Sequence, residues 1–171
     1  MKPDKSEALE LLRISGCSER VLKHCLTVAD HAKEIAQNIQ CNGYQVDVEL
    51  VFIGALLHDI GRSVTYDIQH AVEGARLGKE YGLHPAIIRI IETHIGAGIP
   101  ETEALTFGLP PGNYMPTTLE EKIVAHADNM VDDDHVVSIT EEVDALRKKG
   151  MHESIIERTI KLGSYIDEMM G

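Results

Sequence analysis

One segment sets the terms for the whole fold. Residues 48–60 read VELVFIGALLHDI and are apolar around almost the full circumference of a helix. Asp47 before it is a natural N-cap, so a helix from Val48 to Ile60 is expected, buried on all sides, with Gly61 as its stop. A helix buried all round needs a shell of other elements, and the flanking sequence supplies helices. Asp4 to Ile14 places Ala8, Leu9, Leu11 and Leu12 on one side. Ser18 caps a long helix in which Val21, Cys25, Val28, Ala32, Ile35 and Ile39 recur at helical spacing, ending at Asn42-Gly43. Asp67 is read as the cap of a helix running to Tyr81, and Pro85 opens another that ends at His94.

Residues 96–117 are dense in Gly and Pro and read as a loop with one turn near Glu103 to Phe107. Thr118 with Glu121 and Ser138 with Glu141 are capping-box signals for helices over 119–131 and from 139. Ser154 begins the final helix, whose apolar strip is expected to pack on the core, a homodimer being the alternative. No alternating pattern lasts long enough for a sheet. The expectation is one all-α domain over 1–171, with a core of about 18–131 and C-terminal helices 139–170 packed on it.

Charge narrows the functions. Sixteen Lys and Arg against 28 Asp and Glu give a formal net charge of −12. That disfavours a long nucleic acid or an anionic membrane surface as partner, because both need clustered cations. Cys17, Cys25 and Cys41 form no CxxC and read as free thiols of a cytoplasmic protein. The charged N-terminus lacks a signal-peptide core, and Leu50 to Leu57 is too short to span a bilayer.

Nine histidines in so acidic a chain need explaining. His58-Asp59 ends the buried helix, where an unpaired carboxylate is costly; such a group is normally paired or bound to metal. His24 lies at the margin of the long helix's apolar stripe, and Asp128 at the edge of the apolar face of helix 119–131. His70 starts one helix and His94 ends another. His31 reads as exposed, and His126 points to a different face from Asp128. His84 is a loop residue or a helix-start contact, His152 an exposed residue, and His135 part of a solvated acidic helix end with Asp132 to Asp134.

The order His24, His58-Asp59-Ile60-Gly61, His70, His94, Asp128 resembles the HD-domain metal-dependent phosphohydrolases, specifically the HDIG subset. The resemblance implies that His24, His58, Asp59 and Asp128 hold one metal. His70 and His94 would complete a second, with Asp59 bridging. Many two-metal members carry a double His where this chain has Thr93-His94-Ile95. The single His, with His70-Ala-Val-Glu-Gly-Ala, is similar to bacterial HD hydrolases that split dinucleoside tetraphosphates.

Imidazoles mixed with carboxylates suit one or two divalent ions of Mn, Fe, Co, Ni or Zn. Such an ion lowers the pKa of bound water and supplies a hydroxide nucleophile. The implied activity is hydrolysis of a phosphomonoester or phosphodiester in a small molecule such as a nucleotide. Asp59, His70 and His94 would be catalytic, and Arg62 would contact phosphate. Loop 96–117 borders the pocket, and its Tyr114 is expected to contact the substrate, with Phe107 and Met115 nearby. A mixed-valent di-iron oxygenase on the same ligand spacing is the alternative chemistry.

Overall fold

The computed structural model describes residues 1–171. Helix α1 (Lys5–Ile14) begins with a reciprocal capping box: Asp4 accepts from the Glu7 amide and Glu7 reaches back to that of Asp4. Helix α2 (Glu19–Cys41) is capped by Ser18, and every residue of its expected stripe is buried. Helix α3 (Val48–Leu57), capped by Asp47, lies at the centre and packs against α1, α2 and two later helices, α5 (Pro85–Thr93) and α7 (Leu119–Asn129). Thirty buried apolar residues contributed by these helices, the final helix and the intervening turns form one contiguous core.

Helix α3 ends earlier than expected, and the reason positions the site. His58 takes the C-terminal cap position, Asp59 follows, and residues Ile60–Ser63 tighten into a 3-10 turn. Gly61 is not a left-handed stop. Its backbone lies so close to helix α4 (His70–Glu80) that a Cβ there would stand 1.8 Å from the His70 carbonyl oxygen and 2.6 Å from the Gly74 amide. Glycine is needed because the HD turn is pressed onto α4. Asp67 does not cap α4 with its side chain; its carbonyl oxygen instead accepts from the His70 amide at 2.9 Å.

Beyond α5, loop residues Ile99 and Tyr114 pair as an isolated antiparallel bridge around the short helix α6 (Glu101–Ala104). Thr118 caps α7 as expected, but Glu121 reaches back to the Thr117 amide at 2.9 Å rather than closing the box on Thr118. A two-stranded hairpin follows, β1 (Val131–Asp132) and β2 (His135–Val136), with Asp133 at φ 56° in its turn. The run Asp132–His135 is therefore a hairpin, not a helix end. Helix α8 (Ile139–Lys148) carries the full Ser138–Glu141 box. Helix α9 (Glu153–Met170), capped by His152, buries Ile156, Leu162 and Ile166 against the body, so the last helix packs on the core. No helix is long and apolar enough to cross a membrane.

Candidate metal centre

Six side chains from five elements meet behind the 3-10 turn. His24 comes from the second turn of α2, His58 and Asp59 from the end of α3, His70 from the first residue of α4, His94 from the end of α5 and Asp128 from α7. His24 Nε2 lies 3.0 Å from Asp128 Oδ1 and 3.8 Å from Asp59 Oδ2. His58 Nε2 lies 3.3 Å from Asp128 Oδ1 and 3.7 Å from Asp59 Oδ2. On the other side of the same carboxylate, Asp59 Oδ1 is 3.1 Å from His70 Nε2 and 3.4 Å from His94 Nε2. Asp59 thus touches both halves of the cluster with different oxygens.

The opposite nitrogen of every ring is tied to the backbone. His24 Nδ1 donates to the Asp133 carbonyl at 2.7 Å, His58 to Ala55 at 2.6 Å, His70 to Asp67 at 2.7 Å and His94 to Ile91 at 2.7 Å. A carbonyl only accepts, so each Nδ1 carries its proton, and in the neutral ring each Nε2 presents a lone pair. This is the arrangement that orients histidines toward a metal. His70 Nε2 and His94 Nε2 face one another at 3.0 Å, a contact between two lone pairs that needs a cation or a proton between them. His58 Nε2 and Asp59 Oδ1 are buried with no hydrogen-bond partner at all. The donor set fits a divalent ion on both sides of Asp59.

Electrostatics point the same way. Burial would raise the Asp59 carboxyl, but His58, His70 and His94 outweigh it and hold the group well below the usual range. Asp128 is held far down as well: burial opposes it, and His58 with His24 wins. Burial pushes His58 down, yet Asp59 and Asp128 overcome it and lift the ring to about 9. His94 is lowered, by burial together with its neighbours His58 and His70, against Asp59. Two permanent negative charges closed in by imidazoles seek positive charge.

Arg62 Nε donates to Asp59 Oδ2 at 3.0 Å, and its Nη1 to the Tyr66 carbonyl at 3.1 Å. It lines two cavities that flank the cluster. One, of about 390 Å³, reaches His70, His94 and Asp128 and has Ile68, Ile99 and Phe107 among its apolar walls. The other, of about 420 Å³, reaches His24 and Asp59 and is bordered by Arg20, Tyr66 and Asp133.

Tyr114 is not where a substrate contact was expected. It is 7% exposed, packs with Ile99, Ala104 and Leu109, and donates its hydroxyl to the Pro110 carbonyl at 3.0 Å. It holds the loop together from within, and Phe107 takes the aromatic place on the cavity wall. His31 is half-buried rather than exposed. His126 stands apart from the cluster, buried against α9 beside Gly163, with Nδ1 unpartnered. Cys25 lies behind the site, and Cys17 donates weakly to the Ile60 carbonyl. Burial and the Asp59 charge raise both thiols, Cys17 to about 11, so neither offers a thiolate.

Two contributors escaped the sequence reading. The hairpin turn supplies the carbonyl that orients His24, and its Asp133 pairs with Arg20 at 2.7 Å. The C-terminal helices supply one wall of the cavity that reaches His70, His94 and Asp128: Glu142, Leu146 and Lys149 from one face at the end of α8, then Met151, Ile155, Arg158 and Thr159. The spacing 142, 146, 149 was visible as a helix face, but a Glu–Leu–Lys stripe is also what an ordinary solvated face looks like.

The HD domain family model matches residues 21–131, which contain all six cluster residues. The chain belongs to the HD-domain family. This HD-domain chain is 47% identical to an uncharacterized protein of Methanocaldococcus jannaschii over 96% of its own length and 97% of that protein. It is 42% identical to a tRNA (cytidine(56)-2'-O)-methyltransferase of Thermoplasma volcanium, over 99% of its own length but 48% of the methyltransferase. The HD-domain chain thus spans about half of that relative. Among solved structures, the HD domain of the Listeria monocytogenes phosphodiesterase PgpH in complex with cyclic-di-AMP superposes with a TM-score of 0.62. The identity is 18%, and 95% of this chain and 92% of that one are covered. At that identity the likeness is one of fold.

Proposed function

We propose that this HD-domain protein is a metal-dependent hydrolase of phosphoric esters, acting on a small molecule such as a nucleotide. The observation that carries the reading is the common orientation of four histidines. Each is fixed through Nδ1 and each aims Nε2 at Asp59 or Asp128. His24, His58, Asp59 and Asp128 would hold one ion, and Asp59, His70 and His94 a second. Such ions supply an activated water and neutralise the phosphoryl oxygens.

The chain's own residues do the rest. Asp59 joins the two halves so that their spacing is set by one carboxylate. Arg62, anchored on Asp59 and the Tyr66 carbonyl, offers its remaining N–H groups to a non-bridging phosphate oxygen. Ile68, Ile99 and Phe107 exclude water from one side and suit an apolar ring such as a nucleobase. The net charge of −12 favours a small ester over a long polyanion. The cyclic-di-AMP bound by the PgpH HD domain is in keeping with a nucleotide ester.

The test has two parts. Purified protein is assayed by elemental analysis for transition metal, and Asp59→Ala should lose it. With Mn or Co, the wild type should turn over p-nitrophenyl phosphate, bis-p-nitrophenyl phosphate or members of a nucleotide panel. A stable wild-type protein that takes up no metal, or silence on all these esters when loaded, would refute the reading.

A further inference from the structure

Hydrolysis of an alkyl ester is accelerated by a group that protonates the departing oxygen, and the cluster described above offers none. All four histidines give Nδ1–H to backbone carbonyls and turn Nε2 toward Asp59 and Asp128. Arg62 does not release its proton. Within the cavity that reaches His70, His94 and Asp128, Thr159 Oγ1 donates to the Ile155 carbonyl at 2.9 Å. Arg158 is doubly bonded to Glu103 at 2.9 and 2.6 Å. His126 lies on another face of α7 and does not line the cavity.

Glu142 is different. It stands on the face of α8 that closes the same cavity as His70, His94 and Asp128, and it is half-buried. Its carboxyl makes no hydrogen bond and no ion pair, although Lys149 lies two turns along the same face and is itself unpaired. The other carboxylates of the cavity are Asp128, a cluster member, and Asp132, which is exposed at the hairpin. We propose that Glu142 is the proton donor to the leaving-group oxygen, a catalytic residue supplied from outside the matched HD core. The proposal rests on the hydrolase reading above.

Burial raises the Glu142 carboxyl above the usual range, Lys149 opposes this, and the charges of Asp128 and Asp132 add to it. The leading cause is burial, which remains when Asp128 is neutralised. The other charged groups lining the cavity are Arg62, paired with Asp59, and Arg158 of α9, paired with Glu103. The step balances. A water oxygen forms a bond to phosphorus, the bond from phosphorus to the leaving oxygen breaks, and the Glu142 proton passes to that oxygen to give an alcohol. A proton released from the attacking water restores the carboxyl, so one water is consumed.

The decisive experiment compares leaving groups. A p-nitrophenolate leaves without help, whereas an alkoxide needs an acid. Glu142→Gln and wild type are assayed on p-nitrophenyl thymidine 5'-phosphate against thymidylyl-thymidine, and on p-nitrophenyl phosphate against thymidine 5'-phosphate. On the ester class that the wild type cleaves, kcat/KM of the variant should fall about 100-fold further for the alkyl ester than for the aryl ester. Bound metal by elemental analysis should be unchanged. The wild-type alkyl-ester rate should also fall as pH rises through the Glu142 titration, a limb absent from the variant. Lys149→Met should affect both leaving groups alike. Equal losses on alkyl and aryl esters in Glu142→Gln, with metal retained, overturn the proposal while leaving the hydrolase reading intact. A wild type that cleaves no ester removes both.

Discussion

His58 makes the stability of the metal-stripped protein depend on pH in a window where most proteins are insensitive. The ring is wholly buried between two carboxylates and is held at about 9 against 6.5 for an ordinary imidazole. A group whose pKa is raised on folding stabilises the native state fully below its unfolded value, and the gain is lost as pH rises through the folded one. At 1.36 kcal/mol per tenfold change in proton affinity, the difference corresponds to about 3 kcal/mol, lost between about pH 6.5 and 9. A saturating metal ion removes this slope, since the metal-bound ring carries no proton and the unfolded ring has already lost its own above pH 6.5. Urea midpoints should therefore fall across pH 6.5–9 in EDTA and show no such fall across the same range with saturating Mn or Zn. His58→Gln should flatten the EDTA profile. A stability that is constant over that window in metal-stripped wild type, or the same slope in His58→Gln, would refute the electrostatic account of the cluster.

Other substitutions probe the parts around it. Gly61→Ala places a Cβ against the His70 carbonyl and the Gly74 amide, both backbone, so the turn must move; we expect destabilisation at the upper end of overpacking costs, about 3 kcal/mol or more, in thermal or urea unfolding. His126 is buried, has no partner for Nδ1 and is lowered to about 4, by burial first. Its folded value lies below the unfolded one, so it stabilises fully above about pH 6.5 and the contribution is lost as pH falls toward 4; His126→Leu should remove that part of the acid sensitivity, read from unfolding midpoints at pH 7 and pH 4.5. Arg62→Met should raise KM for a phosphate ester at least tenfold in steady-state assays, with metal content retained.

Much of this molecule could be read from residue order, and the reasons for the exceptions are physical. The buried central helix, its Asp47 cap and the α2 stripe follow from local periodicity, which depends only on neighbours three and four apart. His58-Asp59 was recognisable because a carboxylate at the end of a buried helix is rarely without a partner, whereas His24, His70, His94 and Asp128 joined it only through the resemblance to the HD-domain pattern. What escaped depends on contacts between segments distant in sequence. Gly61 looks like a helix stop until α4 is seen pressed against it. Tyr114 looks like a pocket aromatic until the Ile99 pairing turns it inward. Asp132 to Asp134 look like a solvated run until the hairpin folds them back onto α2, and α8 gives no local sign that its face closes a cavity.

The tethers of the four rings differ in reach, and that difference sets an order of assembly. His58, His70 and His94 each hang from the carbonyl three residues before them, so their aim is complete once their own turn has formed. His24 waits for Asp133, 109 residues later. The half of the centre built from Asp59, His70 and His94 is thus self-sufficient by residue 94, while the other half is finished only when the hairpin arrives. Loosening the hairpin with Asp133→Pro should therefore weaken one ion and spare its neighbour, a split that metal titration by calorimetry would resolve as one lost binding event out of two.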